Sequence, residues 1–368
     1  MLIGNDFTVT YCMNIFPVYD VQNLSALLDE KIPGIMERFR YDQSVVPLGL
    51  WFPLNLLEEL RDNSMVGKIM ERHNQRICTL NAFPQGQFHQ KRIKEKVYFP
   101  DWEDEKRLAY TCKVIDFASK LPLTPGIIPV STVPITFGSN YSDCVLDNLE
   151  KMCSFLERMR RDKGIHFRLL LEPEPGCTLD RISNTEAFLK KLSLRHPKSA
   201  EYIGICIDTC HCAVMHENPA DFFDRIITLG FSVDKIQISS ALKLPEGNKK
   251  QLLKEFDEET YLHQTTIRDA QGQMHFFDDL GEALVSDIQG ETRTHFHIPL
   301  HSKPVSPLRS TTDQLDKDFF RKVANGGRIL EIETYTFSVL PDKETDVITS
   351  IVNELNWLDR SLKTALED

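Results

Sequence analysis

Short apolar runs alternate with longer amphipathic stretches along almost the whole chain. Each run is rich in β-branched or aromatic residues and stops at a proline, a glycine or a polar cluster, so it reads as a buried strand. The runs expected as strands are 7–16, 46–52, 77–83, 127–134, 166–172, the motif opening at Ile203, 235–240 and 328–337. The stretches between them predict helices at 23–40, 54–73, 103–120, 141–163, 185–193, 219–230 and 343–366, with Pro33 and Gly34 interrupting the first. Eight strands alternating with helices predict a parallel sheet, closed as a (β/α)8 TIM barrel and filling residues 1–368 as one domain. One connection is out of proportion. About 85 residues separate the seventh strand from the last, far beyond an ordinary βα link. They hold a further strand-like run, T-H-F-H-I-P-L at Thr294–Leu300. Either residues 241–310 are an insertion before the last strand, close to the C-terminal mouth, or this run is itself a barrel strand.

Composition narrows the function classes. The chain has 368 residues, 41% hydrophobic and 26% charged, enough for a sizeable core. Its net charge of −11 opposes nucleic-acid binding, which needs a basic stripe. Lys91, Arg92, Lys94 and Lys96 form the one dense basic cluster. The nine cysteines are an odd number, and Cys78, Cys206 and Cys210 fall inside apolar runs, as free thiols in a reducing compartment would. There is no C-x-x-C pair, so Cys210 and Cys212 match structural zinc spacing poorly. A basic leader followed by an apolar stretch is missing, as is any apolar run of about 18 residues; a cytoplasmic location is expected.

The chemistry concentrates at strand ends. I-G-I-C-I-D-T-C-H-C, Ile203 to Cys212, reads as a buried strand delivering Asp208 and His211 to its C-terminal end, where barrels place their chemistry. A buried carboxylate must be paired or bound to metal; the competing reading is an aspartate that caps the next turn. Other strand ends carry Glu172 with Glu174, His295 with His297, and Glu331 with Glu333. Residues two apart on a strand share a face, and the later member lies nearer the mouth, which favours His297 and Glu333. Pro173 and Pro175 end regular structure beyond Glu172 and favour that residue. Mixed carboxylate and imidazole donors suit Zn²⁺, Mn²⁺ or Fe²⁺ better than Ca²⁺ or Mg²⁺. His263, in Y-L-H-Q, and His301 are further candidates for a ligand or a substrate contact. Nucleophilic catalysis has little support, since no G-x-S-x-G occurs. The loop 81–102, rich in aromatic residues, is either a lid or substrate platform or a packed surface loop.

These motifs resemble the xylose-isomerase-like barrel superfamily of sugar isomerases, epimerases and endonuclease IV. I-G-I-C-I-D-T-C-H is similar to a sixth-strand motif whose Asp and His bind metal. L-L-L-E-P-E-P-G, Leu169 to Gly176, resembles the fifth-strand glutamate segment, and I-E-T at the last strand resembles its final L-E-T. The resemblance implies ligand roles for Glu172, Asp208 and Glu333, with Glu331 the other choice, and proton transfer by the two glutamates. In the epimerase relatives the histidine of the sixth-strand motif touches substrate. A narrower resemblance, carried by N-A-F-P-Q-G-Q-F-H, K-V-Y-F-P-D-W, Y-L-H-Q, H-F-H-I-P-L and L-E-I-E-T-Y-T-F-S-V-L-P, is to the metabolite traffic protein EboE family. That family implies a role in moving a precursor, with a membrane protein of the same pathway as partner. The chain also departs from the superfamily. Phe16 and Gln237 stand where histidines are usual in the first and seventh strands, and Asn81 where endonuclease IV has a zinc-binding histidine. His297, or else His263, is expected to replace the seventh-strand ligand.

The expectation is therefore a barrel holding a divalent metal, Zn or Mn, on Glu172, Asp208, His297 and Glu333, with His211 as a fifth ligand or substrate contact. Glu172, Glu333 and His211 are the expected catalytic groups, and Gln237, His263, His295 and Glu174 are expected around the substrate. The reaction expected is isomerisation or epimerisation of a small polyhydroxy metabolite. The alternatives are a non-catalytic metabolite-binding protein that hands a precursor to a membrane partner, and a metal-dependent phosphoesterase.

Overall fold

The computed structural model describes residues 7–367 except 61–62, 87–88, 90–91, 246 and 342–344. Lys91, Gln87 and Phe88 of the motifs above, and the first six residues, lie outside the described residues. Eight parallel strands form the main sheet: β1 Phe7–Tyr11, β2 Val46–Trp51, β3 Gln75–Asn81, β4 Ile127–Thr132, β5 His166–Leu171, β6 Ile203–Asp208, β7 Ser232–Ile238 and, last in the chain, Arg328–Ile332. The last strand pairs with both β1 and β7, so it sits between them, and the order then runs through β6, β5, β4 and β3 to β2. A single bridge from Cys12 to Gly49 crosses the remaining seam between β1 and β2, and the sheet is a nearly closed TIM barrel. Every residue of β2 and β6 is buried. Strands covered on both faces need continuous apolar runs, which is why the period-two signal is weak there.

The long connection is an insertion, and the run at Thr294–Leu300 is not a barrel strand. After β7 the chain builds β8 Leu242–Leu244, β9 Thr265–Arg268, β10 Met274–Phe277, β11 Glu291–Thr294 and β12 Arg309–Ser310. Their antiparallel order is β10-β9-β11-β8-β12. This small sheet packs on its own core of Leu242, Leu244, Leu253, Leu280, Phe296, Ile298 and Leu308. The last barrel strand, Arg328–Ile332, is therefore β13.

Boundaries moved where side chains or turns override the apolar pattern. β1 stops at Tyr11 because Met13–Ile15 turns as a 3-10 helix and carries Asn14 over the barrel mouth. β13 stops at Ile332 because Tyr335–Val339 turns likewise, leaving Glu333 just past the strand. Pro33 does not break its helix: a π-helical turn at Leu27–Lys31 precedes Ile32–Phe39, so the proline falls in a first turn where its missing N–H is tolerated. The helix expected at 54–73 is divided into Leu54–Glu59 and Ser64–Arg72. All nine thiols are free. Among the described residues no helix is long and apolar enough to cross a membrane.

One buried ion pair sits inside the barrel, and no sequence pattern pointed to it. Lys235 on β7 and Glu331 on β13 are both fully buried, with Nζ 2.5 Å from Oε2, and Nζ also donates to Ser131 Oγ at 3.1 Å. Burial lowers the lysine's proton affinity, yet Glu331, Cys206, Cys12 and Glu172 around it raise it well above the ordinary value. Gly49 is required beside this pair, because a Cβ there would overlap the Glu331 carboxylate. Removing one member of a buried pair strands the other charge. Lys235→Met is expected to lower unfolding free energy in urea by about 3–5 kcal/mol, and Lys235→Met with Glu331→Gln to recover most of it. A loss below about 1 kcal/mol, the range of an exposed pair, would contradict this account.

Candidate functional site

The C-terminal ends of β5, β6 and β13 bring three carboxylates together. Glu172 follows β5, Asp208 ends β6 and Glu333 follows β13; all are buried, and their ligand atoms lie within 4.8 Å of one another. Asp208 does two things at once. Its Oδ1 caps the helix Thr209–Val214, accepting from His211 N at 3.0 Å and from Ser239 Oγ at 2.7 Å. Among the described residues its Oδ2 is buried without a hydrogen-bond partner, as is Glu172 Oε2. Capping and site chemistry are thus divided between the two oxygens of one side chain. Glu333 Oε1 accepts from Asn14 Nδ2 at 2.7 Å and from Asn81 Nδ2 at 3.4 Å.

Three imidazoles face these carboxylates. Each donates its Nδ1–H to a fixed acceptor: His211 to Pro173 O at 2.8 Å, His295 to Gln264 Oε1 at 2.7 Å, and His297 to Glu333 O at 2.8 Å. Those acceptors set the tautomers and leave the three Nε2 atoms converging. His295 Nε2 is 3.1 Å from His211 Nε2, 3.3 Å from His297 Nε2 and 3.2 Å from the Tyr335 hydroxyl. His295 and His297 lie beyond β11 in irregular chain, yet they keep the alternation of a strand, with Phe296 between them turned into the insertion's core. Asp208 joins the two halves of the site, since its ligand atom is also within 4.8 Å of His211 and His297.

Other groups of metal-type donors adjoin this one. Glu174, His211 and His295 form one, and Cys210, His295 and His297 another. Sequence spacing argued against the Cys210 thiol, but the first turn of the helix after β6 brings it to the imidazoles. The expected quartet of Glu172, Asp208, His297 and Glu333 is not gathered as one shell. Among the described residues, no close group of three joins His297 to Glu172 or Glu333. Glu331 is held below by Lys235, which distinguishes it from Glu333 at the mouth. Gln237 sits level with Asp208 and Glu331 across β6, β7 and β13, and its Nε2 is buried without a partner among the described residues. His263 is turned away from the site: it stacks on Phe296, and its ring nitrogens bond His295 O and Glu258 Oε1 at 2.8 and 3.0 Å. His301 lines a separate groove on the insertion side.

The electrostatics follow from burial among like charges. Burial, then the neighbouring Glu333, raises Glu172 well above the usual carboxylate range, and Glu333 is raised to about 8 by burial and then Asp208. Burial lowers His295 well below its ordinary value and His297 to about 4, with nearby His211 opposing protonation of both. His211 is raised despite its burial, because Asp208 and Glu174 face it.

A roof closes over the mouth. Loop residues Phe83, Ile93, Val97 and Tyr98 meet Tyr261 and Leu262 of the insertion around a cavity of about 50 Å³, room for a few waters. The loop is latched to the insertion. Ile93 N donates to Thr260 O at 2.8 Å, Lys94 Nζ to Asp279 Oδ2 at 2.6 Å and to Glu258 O at 3.0 Å. Tyr98 reaches inward, donating to Glu174 Oε1 at 2.6 Å. Asn14, Tyr98, Gln264 and Tyr335 were missed in the sequence, because a polar or aromatic residue in a loop carries no periodic signal.

The model of the xylose isomerase-like TIM barrel family matches residues 44–281, and the chain belongs to that family. No curated protein matches the chain. Among solved structures, a xylose isomerase-like TIM barrel protein from Mycobacterium smegmatis in complex with magnesium is similar at 12% identity and a TM-score of 0.53, covering 98% of this chain and 97% of that one. A xylose isomerase domain protein from Planctomyces limnophilus is similar at 11% identity and a TM-score of 0.51, over 99% and 100% of the two chains. The IOLI protein, solved with a bound zinc atom, is similar at 10% identity and a TM-score of 0.50, over 98% and 100%. At these identities the likeness concerns the fold.

The raised carboxyls have a measurable consequence. A group held at about 8, against 4.5 ordinarily, adds stability that is full below 4.5 and is lost as pH rises through 8. The metal-free chain is therefore expected to lose stability between those values, and a divalent ion to abolish the loss by replacing protons. Calorimetric titration with Zn²⁺ near pH 7, in two buffers of different ionisation enthalpy, should register net release of on the order of one proton. No release, or proton uptake, would contradict the assignment.

Proposed function

We propose that the mouth holds a divalent metal ion, Zn²⁺ or Mn²⁺, and isomerises or epimerises a small, unphosphorylated polyhydroxy carbonyl compound. The observation that carries this reading is the meeting of three buried carboxylates and three Nε2 atoms at the mouth. Asp208 lies close to Glu172 and Glu333 on one side and to His211 and His297 on the other, while Asp208 Oδ2 and Glu172 Oε2 lack a hydrogen-bond partner among the described residues. Carboxyl groups buried this close together hold protons because their charges outnumber the nearby Lys235, and a cation at their focus lets them ionise. Glu172, Asp208 and Glu333 would hold the ion, with His211 or His297 completing its shell from the other side of Asp208. Two of the similar proteins named above were solved with magnesium and with zinc, which supports a divalent ion in this chain.

Bound there, the ion would polarise a carbonyl and its neighbouring hydroxyl. The chain's own groups would move the proton. A carboxylate oxygen of Glu172 takes the hydrogen α to the carbonyl, the C–H electron pair passes into an enediolate, and Glu333 returns a proton to carbon. Asn14 and Asn81 hold Glu333 in place for this, and the roof excludes water from the enediolate. Phosphoester hydrolysis is disfavoured. Lys94 is the one Lys or Arg lining the cavity among the described residues, and Asp279 and Glu258 engage it.

The narrower likeness to the EboE family supports a place for the substrate in a pathway that moves a precursor. A carrier that passes the same metabolite to a membrane partner is the second reading, favoured by the latched roof over a small cavity. The two readings differ in turnover. In D₂O with added Zn²⁺ or Mn²⁺, the chain is expected to exchange the α-hydrogen of at least one member of a panel of unphosphorylated ketoses and cyclic polyhydroxy ketones, followed by proton NMR. Glu333→Gln should slow that exchange by about 10²-fold or more. Exchange unaffected by Glu333→Gln would refute the mechanism, and no exchange across the panel would favour the carrier.

A further inference from the structure

The last helix, Val347–Leu366, packs on the barrel through Ile351, Leu355, Leu358 and Leu362, yet it carries one fully buried carboxylate, Glu354. Both of its oxygens are committed. Oε1 accepts from Leu300 N at 3.0 Å and from Thr334 Oγ1 at 2.7 Å, and Oε2 accepts from the Tyr11 hydroxyl at 2.8 Å. Burial still raises this carboxyl to about 7 against the pull of its three donors, so an apolar residue would dock the helix at lower cost.

The three donors come from three distant segments, and each leads directly into the site. Thr334 follows Glu333. Leu300 lies three residues after His297. Tyr11 ends β1, and the turn beyond it carries Asn14, whose Nδ2 holds Glu333 Oε1 at 2.7 Å. The same segments are cross-tied above Glu354: His297 donates to Glu333 O at 2.8 Å, and Thr336 Oγ1 donates to His297 O at 2.7 Å. Among the described residues, no other side chain is seen to bond all three segments at once.

We propose that Glu354 is a positioning residue: it clamps the segments bearing Asn14, His297 and Glu333 into the register that metal binding needs. The inference rests on the metal reading above. Groups that orient ligands without touching the ion typically change metal affinity about 10- to 100-fold when removed. Glutamine in this place keeps an oxygen for Leu300 and Thr334, and its amide can donate to the Tyr11 oxygen.

The test is calorimetric titration of the full, chelator-treated chain with Zn²⁺ alone, with thermal unfolding of each variant in parallel. Glu354→Ala is expected to bind Zn²⁺ about 10- to 100-fold more weakly per folded molecule, and Glu354→Gln within about threefold of the parent. Thr334→Val, which deletes one donor at nearly constant shape, should weaken binding in the same direction by a smaller factor. A folded Glu354→Ala chain with parental affinity overturns the proposal, since a purely structural role lowers thermal stability alone. Should that variant fail to fold, parental affinity in Thr334→Val overturns it instead. A parent chain that takes up no Zn²⁺ is a distinct result: it defeats the metal reading, and this inference with it.

Discussion

The structure turns on an excess of buried negative charge at one end of the barrel. Glu172, Asp208 and Glu333 meet within 4.8 Å, Glu331 lies below and Glu174 beside them, all screened from solvent. Lys235 is the cation among them, and Glu331 holds it at 2.5 Å. Much of the local design serves to make this arrangement tolerable. Gly49 makes room for Glu331, and Ser131 shares the ammonium. Asn14 and Asn81 donate to Glu333, and Ser239 and a backbone N–H donate to one oxygen of Asp208. Among the described residues no donor meets Glu172 Oε2 or Asp208 Oδ2, and those are the atoms that a cation would use.

The insertion adds side chains of its own to the barrel mouth. β7 offers Gln237 at the level where an imidazole would face Asp208, and an amide is a weak ligand for zinc. The segment after β11 brings His295 and His297 to the mouth, and their Nδ1–H bonds to Gln264 and to the Glu333 carbonyl fix which nitrogen looks inward. The same insertion carries Thr260 and Asp279, which latch the roof. Loop elaboration at the C-terminal face is how this fold changes its chemistry while its strands stay in register.

The eight barrel strands were readable because each is an uninterrupted apolar run with a clear stop. The acids at their ends were readable because a charge directly after such a run is buried and needs a reason. What escaped sequence reading depends on long-range geometry. Lys235 and Glu331 lie on strands nearly a hundred residues apart, and only the pairing of β7 with β13 makes them partners. Glu354 looks like any charge on an amphipathic helix until Tyr11, Leu300 and Thr334 are seen around it. His263 shows the opposite failure. Its ligand-like chemistry was visible, but Glu258 and the His295 carbonyl had already claimed both ring nitrogens. The aspartate of the sixth strand offered two readings, cap or ligand, and its two oxygens let it serve as the cap while leaving one atom for the other role.

The central claim is that this buried charge is there to hold a cation, and metal content tests it most directly. Protein purified without chelator is expected to carry about one equivalent of a divalent transition metal, and Asp208→Ala, which removes the residue shared by the carboxylate and imidazole groups, to carry little or none. A metal-free parent chain, or a variant that retains the full complement, would contradict the account.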